Sequence, residues 1–121
     1  MGDDPAHRRA KAFKPGKPFF MVTMSPTYVH ARYLHLPSAF AKEHLKEQPS
    51  EVRLRDSNEI KWPVEFRHST RARFRVGWWE FVQGNNLKVG DVCVFVLIEK
   101  SEFLFDVHFF PQHIEVAHHK T

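Results

Sequence analysis

The chain has 121 residues, a hydrophobic fraction of 42% and a formal net charge of +4. This length suits one domain with its own core, and no apolar run approaches the roughly 18 to 20 residues of a membrane-spanning helix. The single cysteine, Cys93, excludes an internal disulfide framework. A net charge of this size favours an anionic partner without identifying one. The distribution of the charge along the chain is therefore the more informative property.

The first 17 residues are polar and basic. Residues 7–17 contain five lysines and arginines and no acid, and Pro5, Pro15 and Gly16 interrupt the segment. Because no hydrophobic periodicity is present, the composition predicts a flexible basic arm over residues 1–17. Such an arm would add affinity for a polyanion without reading its sequence.

Two strands, a polar loop and a helix follow. Residues 19–24 form a β-rich run, and the polar stretch 25–33 leads into the short apolar segment 34–37. Residues 38–47 have a helical composition, with a serine as a plausible cap and Pro49 after the end. The pattern predicts an irregular loop between the first two strands.

Residues 51–76 alternate between apolar and polar side chains. A strand over 51–55 is followed by strands over 60–67 and 71–76, and the last two are predicted to form a hairpin. One face of the hairpin is predicted to pack inward through Trp62, Val64, Phe66, Ala72, Phe74 and Val76. The opposite face carries Arg67, Arg71, Arg73 and Arg75.

The remainder of the chain predicts one more helix and two more strands. Trp78, Phe81 and Val82 have the spacing of one buried helical face. Residues 92–99 are almost continuously apolar, which is typical of a strand covered on both sides, and residues 103–110 alternate. Seven short strands and two short helices indicate a mainly β protein built as a barrel or open barrel.

The arginine face of the hairpin indicates an external polyanion. Like charges on neighbouring cross-strand positions destabilise a sheet, and only Glu65 is close in sequence to neutralise them. Arginine suits phosphates and guanine edges because its planar fork donates two parallel hydrogen bonds, and a two-stranded ribbon fits the major groove of DNA. The polar loop 25–33 adds His30 and Arg32, so two basic segments flank one barrel.

Two motifs resemble the plant B3 DNA-binding domain. They are "LHLPSAFAKEHL", residues 34–45, and "GWWEFVQGNNLKVGDVCVF", residues 77–95. In detail the chain is most similar to the reproductive-meristem and vernalization group of that superfamily. The resemblance implies a B3-type domain over residues 18–111 with a seven-stranded open β-barrel and two short helices. Residues 112–121 are then a C-terminal tail.

The resemblance also implies a function, namely that of a nuclear transcription factor domain that grips double-stranded DNA with two arms in the major groove. The arms match residues 25–33 and 67–75, and the residues between 78 and 95 match the scaffold. Trp78, Phe81, Leu87 and Phe95 are then core residues, and Asn86, Gly90 and Asp91 are turn residues. The candidate DNA contacts are Thr27, Tyr28, His30, Arg32, Tyr33, Arg67, Ser69, Thr70, Arg71, Arg73 and Arg75.

Other functions have weaker support in the sequence. No Ser/His/Asp or Cys/His constellation has the spacing of an enzyme family, and no cofactor is indicated. His113, His118 and His119 lack the cysteine partners of a zinc site. A barrel that binds single-stranded nucleic acid would need exposed stacking rings, for which Trp79 is the main candidate. A barrel that binds an acidic protein is the remaining alternative.

Overall fold

Seven strands form one curled, open sheet in the computed structural model, which describes residues 5–112. The strand order is β1-β6-β7-β3-β4-β5-β2, and every neighbouring pair is antiparallel except β3 and β7. The strands are β1 (Phe19–Thr23), β2 (Leu34–His35), β3 (Glu51–Arg55), β4 (Lys61–His68), β5 (Ala72–Phe74), β6 (Val92–Glu99) and β7 (Leu104–Phe110). The helices are α1 (Pro5–Ala12), α2 (Pro26–His30), α3 (Ser38–His44) and α4 (Trp78–Gly84). The predicted seven-stranded open barrel is confirmed.

The concave side of the sheet holds an aromatic core. Its largest fully buried members are Trp78, Phe74, Phe81, Phe95 and Phe105. Leu87 is also buried, so the four scaffold positions predicted as core residues are confirmed. The predicted hairpin is confirmed as well, because β4 and β5 pair antiparallel.

The prediction of a flexible arm over residues 1–17 is wrong for residues 5–12. Residues 5–12 form α1, and Ala6 and Ala10 are 0% and 2% exposed. They pack on the outer face of β6, against Val92, Val94 and Val96. Their i, i+4 spacing places two methyl groups on one helical face, and this small apolar stripe suffices for docking despite the basic composition.

Strand β6 is buried on both faces, as its apolar run predicts. Cys93, Phe95 and Leu97 face the aromatic core, whereas the alternate valines face α1. Helix α1 is held further by Arg9, which donates to the Pro111 carbonyl oxygen at 2.6 Å, and Phe13 packs on His108 with ring centroids 4.6 Å apart.

Replacing Ala10 by lysine is expected to lower the free energy of unfolding by about 1 to 3 kcal/mol, because a charge then replaces a buried methyl group. Ala12→Lys is the matched control, since Ala12 is exposed on the same helix. Urea unfolding of both variants measures the difference. Equal unfolding midpoints would show that α1 does not pack on β6 in solution.

Four helices are present among residues 5–112, two more than predicted. Besides α1, the supposed loop 25–33 contains α2. The Ser25 hydroxyl accepts from the Tyr28 amide at 3.1 Å, and Pro26 occupies the first turn, where its missing N–H costs nothing. The Ser-Pro pair was therefore a helix-start signal that the sequence offered.

The inner face of the hairpin is shorter than predicted. Val76 is 68% exposed, because β5 ends at Phe74 and the chain turns at Gly77, whose φ is 100°. A Cβ at Gly77 would overlap the Pro63 carbonyl oxygen, so the turn requires glycine. Trp62 is only half-buried, and its indole N–H donates to Asp56 at 2.8 Å.

The turn before β6 has the predicted chemistry. Asn86 and Gly90 have φ values of 55° and 97°, and the Asp91 carboxylate accepts from the Lys88 and Gln112 amides at 3.0 Å each. The remainder of the predicted C-terminal tail, with the three histidines of the zinc alternative, lies outside the described residues. Within residues 5–112, no helix is long and apolar enough to cross a membrane, and no cluster of His, Cys, Asp and Glu is suited to a metal ion.

Candidate nucleic-acid interface

The two predicted arms are joined by strand pairing. Strand β2 follows the first arm and pairs antiparallel with β5 of the second, with Leu34 opposite Phe74 and His35 opposite Arg73. The Leu36 amide extends this pairing by donating to the Ala72 carbonyl at 3.0 Å. The arms are therefore parts of one continuous surface.

Helix α2 is anchored to the barrel by Trp78. Its buried indole donates through Nε1 to the Tyr28 carbonyl oxygen at 2.9 Å, across 50 positions of sequence. Val29 on the same helix is buried, and Tyr28 packs partly against the core. The exposed side of α2 is thus presented to solvent on a fixed support, with Thr27 and His30 exposed.

Three arginines meet in one concavity beside the joined arms. Arg32 comes from the first arm, and Arg73 and Arg75 come from the second. Tyr33 and His35 complete the lining, with their ring centroids 4.9 Å apart. Three guanidinium groups on one concave surface form a site of positive charge suited to a phosphate or another anion.

His35 lines the same concavity and was missed by the sequence analysis. Burial, and then the charges of Arg71 and Arg73, lower the pKa of His35 below its ordinary value. This shift favours the neutral imidazole, which can both donate and accept a hydrogen bond, beside Arg73 in the ladder. The signal was the alternation in "LHL", where His35 stands between two buried leucines on the opposite face.

Glu65 neutralises part of the arginine face. Its carboxylate accepts from Arg75 at 2.9 Å and from Arg67 at 3.3 Å. Burial raises the pKa of Glu65, but the hydrogen bond from Arg67 and the charges of Arg75 and Arg67 outweigh it and hold that pKa below its ordinary value. The sequence identified Glu65 as the local acid, and the structure assigns it to these two arginines.

Arg71 and Arg73 are not paired with a carboxylate in the part of the chain that the structure describes. Within that part, Arg73 donates only to the Ser69 hydroxyl at 3.3 Å. Ser69, Thr70 and Arg71 are exposed at the tip between β4 and β5. Arg67 lies opposite Arg73 in the ladder, so the tip carries three arginines.

The two tryptophans at the start of α4 have different roles. Trp78 is fully buried, whereas Trp79 is half-buried and lies under Arg32, whose Cζ is 4.7 Å from the ring centroid. The proposed stacking ring of a single-strand binder is therefore occupied by a cation in this structure. This contact was not predicted from the sequence.

Cys93 is unsuited to catalysis. Its thiol is buried, and burial, with a smaller effect of Asp91, raises the pKa of Cys93 above its ordinary value. A protonated thiol without access to solvent does not act as a nucleophile.

A family model described as "B3 DNA binding domain" matches residues 19–113. The B3 domain-containing transcription factor VRN1 of Arabidopsis thaliana is 39% identical over 100 residues, which are 81% of this chain and 29% of that protein. A B3 domain-containing protein of Oryza sativa subsp. japonica is 36% identical over 102 residues, which are 84% of this chain and 25% of that protein. The chain thus spans less than a third of the length of these relatives.

Solved structures share the fold. A hypothetical Arabidopsis thaliana protein has a TM-score of 0.67 at 23% identity, and the likeness covers 80% of this chain and 93% of that one. The structure of an Arabidopsis FUS3–DNA complex has a TM-score of 0.58 at 19% identity, covering 74% of this chain and 94% of that one. At these identities the likeness establishes the architecture.

Proposed function

Because the chain belongs to the B3 DNA-binding domain family, we propose that it binds double-stranded DNA through residues 25–33 and 67–75. The observation that carries this proposal is the concavity in which Arg32 of the first arm meets Arg73 and Arg75 of the second. The family is one of DNA-binding domains and is not a class of enzyme.

Duplex DNA fits the charge and the shape of this surface. A two-stranded ribbon such as β4–β5 is narrow enough to enter the major groove, and its arginine tip then meets phosphates or base edges. Like-charged side chains opposite each other, such as Arg67 and Arg73, gain stability when an anion lies between them. Each phosphate neutralised releases counterions, so the affinity depends strongly on salt.

The candidate DNA-binding residues divide into two groups by their intramolecular partners. Arg32, Arg71 and Arg73 have no carboxylate partner among residues 5–112, so their positive charge is available to DNA phosphates. Arg67 and Arg75 both form ion pairs with Glu65, whose carboxylate orients them and offsets part of their positive charge. The remaining candidates are hydroxyl, phenol and imidazole groups, namely Thr27, Tyr28, His30, Tyr33, Ser69 and Thr70.

At the level of the whole protein, the proposed role is regulation of transcription in the nucleus. Relatives such as VRN1 are described as transcription factors, and a factor that binds chromosomal DNA acts in the nucleus. The proposed DNA-binding unit is residues 18–111, with α1 as an added element on its outer wall.

Titration with labelled duplex DNA, single-stranded DNA and RNA of the same sequence tests the proposal. The expected result is tightest binding to duplex, with a steep decrease as salt rises. Preference for the single strand would favour the alternative of a single-strand binder. Binding to none of the three would leave an acidic protein as the partner. Selection from a random duplex library then reports whether any site is preferred.

Glu65→Gln is expected to strengthen duplex binding by several-fold at low salt, because it releases the charge of Arg67 and Arg75. Glu51→Gln is the control, since it removes the same charge from the cross-strand partner of Glu65 outside both arms. Both variants are compared by fluorescence anisotropy at several salt concentrations. Unchanged or weaker binding by Glu65→Gln alone would show that the carboxylate does not oppose DNA.

A further inference from the structure

Arg32 differs from the other arginines of the interface in how it is held. It is exposed in the short link between α2 and β2, and among residues 5–112 it takes part in no ion pair. Its Cζ instead lies 4.7 Å from the centroid of the Trp79 ring. Glu80 lines the same part of the surface without forming an ion pair with Arg32.

An indole ring holds a guanidinium without neutralising it. The attraction acts between the cation and the ring face, so it leaves the N–H groups at the edge of the guanidinium plane free to donate. A carboxylate such as Glu65 occupies those donors and cancels the charge. Trp79 therefore orders the long, flexible side chain of Arg32 while preserving its charge and its free N–H donors, and a phosphate needs both.

The ring itself stands on a rigid base. Its neighbour Trp78 is fully buried, and Gly77 approaches the Pro63 backbone so closely that no side chain fits. The start of α4 is thus fixed relative to β4. The same helix fixes the first arm through the bond from Trp78 to Tyr28. Trp78 thus holds the backbone of the first arm, and Trp79 contacts Arg32, the only arginine of that arm.

We propose that Trp79 is a positioning residue that holds Arg32 beside Arg73 and Arg75, so that both arms bind DNA phosphates with a preassembled arginine cluster. This inference rests on the proposed function. Without the ring, Arg32 is repelled by two like charges and samples many rotamers, and binding has to order it. Trp79 acts through Arg32 and makes no contact with the DNA.

A double-mutant cycle on the full chain tests this role with duplex DNA. Trp79→Leu is expected to weaken binding about two- to fivefold, the range for an exposed cation–π contact. Trp79→Phe keeps a ring face and is expected to retain most of the affinity. In an Arg32→Ala background, Trp79→Leu is expected to change nothing, because the side chain that it positions is gone.

Two results would overturn the inference. Binding of Trp79→Leu at wild-type affinity would show that Arg32 needs no support. An equal loss with and without Arg32 would show that Trp79 contacts DNA directly. Arg73→Ala, measured in parallel, separates this inference from the proposed function, because wild-type affinity of Arg73→Ala would contradict the DNA interface itself. Thermal unfolding of Trp79→Leu near the wild-type temperature confirms that the fold is intact.

Discussion

Trp78→Ala is expected to lower the free energy of unfolding by about 3 to 5 kcal/mol, a large part of the stability of a domain of this size. The indole is fully buried, and its ring centroid lies 5.6 Å from Phe81, 6.2 Å from Phe95 and 6.3 Å from Phe74. Its removal leaves a cavity among these rings. It also leaves the Tyr28 carbonyl without its donor. Denaturant unfolding followed by circular dichroism measures the loss.

Two variants make this result specific. Trp79→Ala removes the same side chain from the next position, where it is half-buried, and is expected to cost less than about 1 kcal/mol. Trp78→Phe keeps most of the volume and removes only the hydrogen bond to Tyr28, so it should fold and show faster amide exchange in α2. A wild-type unfolding midpoint for Trp78→Ala would contradict the placement of the ring in the core.

The double variant Arg71→Ala/Arg73→Ala is expected to lose duplex affinity by about tenfold or more for each residue, because a hydrogen bond to a charged group is worth roughly 1.5 to 3 kcal/mol. Neither side chain is buried or bound to a carboxylate within residues 5–112, so the unfolding temperature should hardly change. The slope of log K against log salt should also fall by about 0.9 for each phosphate that the variant no longer neutralises.

Arg53→Ala/Lys88→Ala is the matched control, since it removes two exposed cations outside both arms and changes the net charge equally. It is expected to retain nearly all of the affinity and of the salt slope. If the two double variants lost equal affinity for duplex DNA, the loss would reflect net charge in general and not contacts made by the arms. Wild-type affinity of Arg71→Ala/Arg73→Ala at low salt would exclude the arms as the DNA-binding surface.

The elements with clear periodicity were predictable. Strands β3, β4, β5 and β7 follow from side-chain alternation, and α4 follows from the spacing of Trp78, Phe81 and Val82, because both patterns are local consequences of backbone geometry. Helix α2 was missed because it is only five residues long and has no periodicity to read. Its capping serine and the following proline were the available signals.

The arginines of the candidate site were predictable, but the contacts that connect them were not. Outward alternation identifies Arg67 and Arg73, and the absence of acids marks both arms as basic. The sharing of Arg67 and Arg75 by Glu65 depends on side-chain geometry that alternation does not specify. The contact of Arg32 with Trp79 joins residues 47 positions apart, which sequence spacing does not predict.

Side-chain patterns along the chain were enough to predict the class of the domain, its strands, its aromatic core and the two basic segments. They also predicted that β6 is covered on both faces, since its residues are apolar at successive positions. The three-dimensional structure was needed to show that α1 supplies that cover and that β2 and β5 join the arms into one surface. The physical reason is that periodicity and capping act within a few residues of the chain. Which distant segments meet depends on strand order and on the packing of the whole core.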